Sequence, residues 1–188
     1  EMPYIEAKDK CYTFRLHLGY ETDTLEWDGE VVEQDARFDK LSDLGKSPEL
    51  AEGPSRISRE DLERVLPQFI GDIDQVPPNY CAMKINGHRA SDLMNRGREI
   101  ELKPRRIHIE SLKVVDDGKV TDGCTGKCFA TFDLECNCSK GTYIRSLGRD
   151  LARALGTCGC VSMIRRHRIG DVTVDRAVRG DALMPEQS

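Results

Sequence analysis

The sequence predicts an α+β domain, a mixed and mostly antiparallel sheet with helices packed against it. Three observations lead there. Runs of strict apolar and polar alternation recur, one late segment repeats apolar residues at helical spacing, and strand-like segments precede the clearest helix.

The first run is "KCYTFRLHLGY". Tyr12, Phe14, Leu16 and Leu18 alternate with Cys11, Thr13, Arg15 and His17, which predicts a half-buried strand with Tyr12 on the apolar side. The acidic "ETDTLEWDGEVV" holds an Asp-Gly turn and reads as a loop between strands. Residues 35–57 mix charge with Gly and Pro and read as a surface excursion. Ser58 and Asp61 ahead of Leu62, Val65, Leu66 and Phe69 form a helix start of the capping-box kind, and that helix is expected to end before Gly71. In "CAMKINGHRASDL", Asn86-Gly87 between short strand-like runs predicts a two-residue hairpin with Lys84, His88 and Arg89 near its tip. "RRIHIESLKVV" and "FATFDLEC" are expected as two further strands, joined by the polar "DDGKVTDGCTGK". "VSMIRRHRIGDVTV" is read as a final strand pair.

Between these strands lies "CSKGTYIRSLGRDLARALG", residues 138–156. Ile144, Leu147, Leu151 and Leu155 define an amphipathic helix with Gly148 on the same side. Arg145 falls in its first turn, where the positive end of the helix dipole costs a cation about 0.3–1 kcal/mol. Either water absorbs that mismatch or an anion sits opposite.

A chain of 188 residues fits one domain, and its 38% hydrophobic and 32% charged residues are ordinary for a globular protein. The start "EMPYIEAKDK" is too charged for a signal peptide, and no apolar run approaches the roughly 18 residues of a membrane span. The expected location is the cytoplasm, with no membrane partner.

Eight cysteines are too few for a small disulfide scaffold. In "CFATFDLECNC" Cys128, Cys136 and Cys138 share the inward face of an alternating run and are expected as small core residues. Zinc would need two pairs at ligand spacing, and Cys158 with Cys160 is too tight beside Cys124 with Cys128, so no metal site is predicted. The net charge of −5 is unevenly spread. Residues 1–76 hold 9 Lys and Arg against 19 Asp and Glu, whereas residues 77–188 hold 19 against 14. Basic residues gather in 77–106 and in "RRHR" at 165–168, the footprint of a polyanion such as a phosphate backbone.

Four segments, "YTFRLHLGYETDTLEWDGEV", "FIGDIDQVPPNYCAMKINGHRASDL", "CSKGTYIRSLGRDLARALG" and "MIRRHRIG", resemble in this order the bacterial tRNA pseudouridine synthase B (TruB) family. The resemblance covers nearly all of residues 10–172. It implies a pseudouridine synthase-like fold and isomerisation of the T-loop uridine of tRNA, uridine-55, to pseudouridine. The reaction needs no cofactor, the partner is the T-arm of tRNA, and intact members are monomers. The target base is flipped out of its stack, which needs a replacement stacking surface.

By the same resemblance, Tyr12 stacks on the flipped base and is a candidate to take the proton from carbon 5. Tyr143 and Arg145 match the tyrosine and arginine of the GTYIR helix. Ile164 matches a pocket-wall aliphatic, and being apolar it is expected to be buried in any case. Lys84, His88, Arg89, Lys140, Arg165 and Arg166 are candidate phosphate contacts, with residues 77–106 as a basic RNA-gripping insertion. In the family Arg145 pairs with a nucleophilic aspartate, in a motif upstream of the first shared strand. These 188 residues do not hold that motif, nor the small RNA-binding domain that often follows the catalytic one. The implied reading is a catalytic domain truncated at its N-terminus and silent by itself. The alternatives are a tRNA-binding or tRNA-folding module without catalysis and a cysteine-based zinc or redox module.

Overall fold

A computed structural model describes residues 9–35, 57–81, 84–85, 88–89, 102–121, 128–169 and 172–173. The first alternating run forms β1 (Asp9–Leu18). The acidic stretch read as a loop is strand at both ends, β2 (Tyr20–Thr22) and β3 (Val31–Gln34), which pair antiparallel. Next comes α1 (Arg59–Val65), started by the predicted capping box: Ser58 Oγ accepts from the Asp61 amide, and the Asp61 carboxylate accepts from the Ser58 amide. Pro67 then turns the chain into a 3-10 helix, Leu66–Phe69. β4 (Gly71–Gln75) follows, and β5 (Lys84–Ile85) pairs with β6 (His88–Arg89) across the two-residue connection expected at Asn86-Gly87. Residues 36–56 and most of 77–106 lie outside the described set.

The remaining elements are β7 (Arg105–Thr121), β8 (Cys128–Ser139), α2 (Ile144–Ala154), β9 (Gly159–Ile169) and β10 (Val172–Thr173). β7 is longer than its apolar pattern suggests. The polar Asp116–Thr121 stays in strand because β8 offers it a partner at every rung, so ladder hydrogen bonds override local turn preference.

Six strands form one sheet in the order β10–β9–β1–β8–β7–β4, with every pairing antiparallel. The parallel contribution expected of a mixed sheet is the isolated bridge between Glu26 and Val161. Both helices pack on one face. Phe14, Leu16, Phe132, Leu134, Ile107, Ile109, Leu112 and Val161 meet Leu62 and Leu66 from the first helical segment and Ile144, Leu147 and Leu151 from α2. Each large aliphatic buried here contributes about 1.5–3 kcal/mol. Gly148 lets α2 approach β9 closely, since a Cβ at that position would collide with the Val161 side chain.

Two bulges keep the core side of β7 apolar. Glu110 is extra to the ladder between Ile109 and Ser111, which moves the inward positions from Ile107 and Ile109 to Leu112 and Val114. A second irregularity between Val114 and Asp116 leaves Val115 exposed.

Candidate active site

The site is built where the start of α2 meets the end of β4, the turn after β2 and the bulged stretch of β9. Gly141, at φ +87°, turns the chain out of β8, and Thr142 Oγ1 bonds the Ser139 carbonyl. Tyr143 is the N-cap residue, with no side-chain cap of its own.

Arg145 lies in the first helical turn, as its position in the sequence predicts, and its guanidinium turns inward. Nη1 donates to the Thr24 carbonyl at 3.2 Å and Nη2 to the Tyr80 carbonyl at 2.8 Å. Nε stands 3.4 Å from Glu26 Oε1. The anion opposite this cation is therefore present in the chain. Two carbonyl dipoles and one carboxylate offset the unfavourable helix end. Within these residues the carboxylate beside the guanidinium is Glu26, which the resemblance does not single out. Glu26 carried no sequence signal, because it sits in an acidic turn where any carboxylate looks like a solvated one.

Glu26 also lines a hollow of about 440 Å³, together with Trp27, Met163 and Ile164. The hollow opens at a bulge in β9: Thr13 pairs with Arg165 and Arg15 with Ser162, so two residues of β9 oppose Phe14 alone. Met163 takes φ +52°, an uncommon conformation for a side chain of its size. Ile164 is not buried, as its apolar character predicts, but 39% exposed, because the bulge lifts it out of the ladder and against the hollow.

Tyr12 is half-buried on the helix-bearing face of β1, packed against the core. Its cross-strand partner in β9 is Arg166, with which its hydroxyl shares a hydrogen bond. Burial pushes the Tyr12 phenol above its usual value, and the charge of Arg166 only partly offsets this. Burial, with the Cys81 thiol alongside, raises the Tyr143 phenol as well. Both are neutral phenols at physiological pH. Arg145 acts electrostatically on Tyr143, so these two predicted site residues share one locality, while Tyr12 and Arg166 share another. Lys140, Arg165 and Arg166 are exposed, as phosphate contacts require. Lys84, His88 and Arg89 flank the β5–β6 connection in the backbone register, and their side chains lie outside the described set.

The opposite face of the sheet contains a residue misread from the alternation. His17 is 3% exposed, not half-exposed, because Trp27 covers it with ring centroids 4.1 Å apart. Its Nε2 is 2.6 Å from Ser162 Oγ. Burial, then the neighbouring charge of Arg15, lowers its pKa to about 4.

Cys136 and Cys138 are buried core residues, as predicted, while the side chain of Cys128 lies outside the described set. The hydrogen bond with Cys138, followed by burial, raises the Cys136 thiol far above its usual value. Burial pushes Cys158 to about 11 and Cys160 to about 12. Among the described residues no group of three or more His, Cys, Asp or Glu side chains could hold a metal ion.

Fold and site together define an α+β domain with an antiparallel sheet, a guanidinium held at the start of its late helix and a hollow beside a bulge in β9. Comparison with known proteins narrows that class. Residues 1–144 match the TruB family pseudouridylate synthase N-terminal domain. The chain is 39% identical over 177 residues to tRNA pseudouridine synthase B of Caulobacter sp. (strain K31), covering 94% of this chain and 48% of that protein. It is 38% identical over 187 residues to tRNA pseudouridine synthase B of Bifidobacterium longum (strain DJO10A), covering 88% and 48%. This chain belongs to the TruB family of pseudouridylate synthases. It spans about half the length of the curated relatives it matches. Among solved structures, a chain of a Cbf5–Nop10–Gar1 complex aligns with a TM-score of 0.49 at 20% identity, covering 89% of this chain and 32% of that one.

Proposed function

We propose that this chain carries the uridine-isomerising site of a tRNA pseudouridine synthase, acting without a cofactor on the T-loop uridine in the cytoplasm. The observation that carries this reading is the fixed guanidinium of Arg145, held at the cleft by Glu26 and two backbone carbonyls. The two carbonyls engage one N–H on each terminal nitrogen, two of the five donors of the fork. Donors thus remain for a further carboxylate, whose pKa the cation would lower so that it stays ionised.

Flipping the uridine out of the T-loop costs a few kcal/mol, which a new stacking surface must offset. Tyr12 presents its half-buried ring for that purpose and Ile164 supplies an apolar wall. Tyr143 closes the side next to Arg145. Lys140, Arg165 and Arg166, with Lys84, His88 and Arg89 of the basic insertion at 77–106, neutralise phosphates. Such contacts position the RNA without reading its sequence. The protein acts as a monomer on the T-arm.

The test measures pseudouridine in a tRNA transcript and, separately, tRNA affinity. The 188 residues alone should bind tRNA and form no pseudouridine, and joining the family's aspartate-bearing segment should bring activity at the T-loop uridine. In that active form Arg145→Ala should slow single-turnover chemistry by about 100-fold or more while affinity changes less than about 3-fold. Equal losses in both would remove Arg145 from the chemical step. Tyr12→Phe should bind normally and react slowly, and wild-type rates would exclude proton transfer through its hydroxyl. Binding without turnover in either form would leave a tRNA-binding module.

A further inference from the structure

We propose that Gln75 is a positioning residue for the reacting centre, clamping the peptide of Tyr143 so that the first turn of α2 aims Tyr143 and Arg145. The inference rests on the site assignment above. Gln75 is the last residue of β4 and is 2% exposed. Its Oε1 accepts from the Tyr143 amide at 2.8 Å, and its Nε2 donates to the Tyr143 carbonyl at 3.1 Å. A side-chain amide thus bonds both the N–H and the C=O of one residue, in the two peptide groups that flank Tyr143, as a strand rung does. The same carbonyl accepts the Leu147 amide at 3.0 Å, the first hydrogen bond of the helix. The clamp therefore acts on the peptide that starts α2, at an N-cap with no side-chain cap of its own.

The anchor is rigid because Gln75 is itself a ladder residue, in register with Arg105 of β7. One residue further on, the Val76 carbonyl accepts from Arg149 Nη2 at 3.1 Å, so a second α2 side chain grips the same exit. Glutamine is required by chemistry and by reach. Glutamate would supply the acceptor without the donor when ionised, and asparagine is one methylene short. Without the clamp the first turn is tied through its side chains alone, and a displacement of about 1 Å at a reacting group can cost about 100-fold in rate.

The test combines amide exchange with kinetics. In the 188-residue chain, Gln75→Leu should speed exchange of the Tyr143 and Leu147 amides by about 10-fold or more, with Leu62 of α1 unchanged. Unchanged exchange at Tyr143 would overturn the clamp whether or not the protein is active, and a uniform rise including Leu62 would reduce Gln75 to a stability residue. In the active form, Gln75→Leu should lower single-turnover rate by about 30-fold or more, with tRNA affinity within about 3-fold. Gln75→Glu supplies a further readout. A buried carboxyl has a raised pKa, and once protonated it regains a donor. Its rate relative to wild type should therefore rise about 5-fold or more between pH 8 and pH 6. A ratio independent of pH, or equal losses in rate and affinity for Gln75→Leu, would exclude positioning. An inactive wild type with fast exchange in Gln75→Leu would overturn the activity and retain the clamp.

Discussion

His17 shows how much one buried side chain can set. Trp27 seals it from water and Arg15 repels a proton, so the folded chain protonates it only near pH 4, whereas an unfolded chain does so near 6.5. Between these values the unfolded state binds the extra proton. The associated stability is complete above about pH 6.5, falls as pH drops towards 4, and levels off below. A shift of this size corresponds to up to about 3 kcal/mol. Denaturant midpoints measured from pH 7 to pH 4 should decline, and His17→Gln should flatten that part of the slope. An undiminished slope in the variant would assign the effect to other groups. At this scale the sequence was partly legible. Arg145 stood out because a cation at a helix start is electrostatically awkward, whereas the alternation alone made Tyr12 an ordinary core tyrosine and only the family resemblance singled it out. Glu26 and Gln75 did not stand out, since their roles depend on partners more than 60 positions away in the chain.

At the scale of elements, β1, β8, α1 and α2 were readable because each shows its own period or cap. The misreadings occur where a partner overrides the local pattern, as in the polar end of β7, or where an inserted residue changes the phase of a strand, as at Ile164. The α2–sheet contact makes a direct prediction. Gly148→Ala places a methyl group into Val161, with Leu16 Cδ1 3.5 Å away, and overpacking of this kind costs about 1–3 kcal/mol. Melting should fall by several degrees, since about 1 kcal/mol corresponds to about 2–4 °C at this chain length. An unchanged melting temperature would mean that Val161 has room to turn aside.

For the whole molecule, the antiparallel α+β architecture followed from the order of strands and helices, but the strand order and the one-sided placement of both helices did not. They depend on which alternating faces match, which no single segment states. Charge is the whole-molecule property with a functional reading. The chain is acidic overall, so the tRNA binding proposed above would rest on local basic segments and respond strongly to salt. With Lys84, Arg89, Lys140, Arg165 and Arg166 engaged, log affinity against log salt should have a slope of about −4. Each alanine substitution among them should reduce that slope by about 1. A slope near zero would rule out the phosphate assignments together.

The inward-facing sulfurs have a practical consequence. Cys136, Cys138, Cys158 and Cys160 are enclosed by the fold, and the thiols of Cys136, Cys158 and Cys160 hold their protons well above neutrality. Alkylating reagents need the thiolate. The rate at which these four positions are modified therefore measures how often the sheet comes apart, which makes them built-in reporters of transient opening that need no attached label.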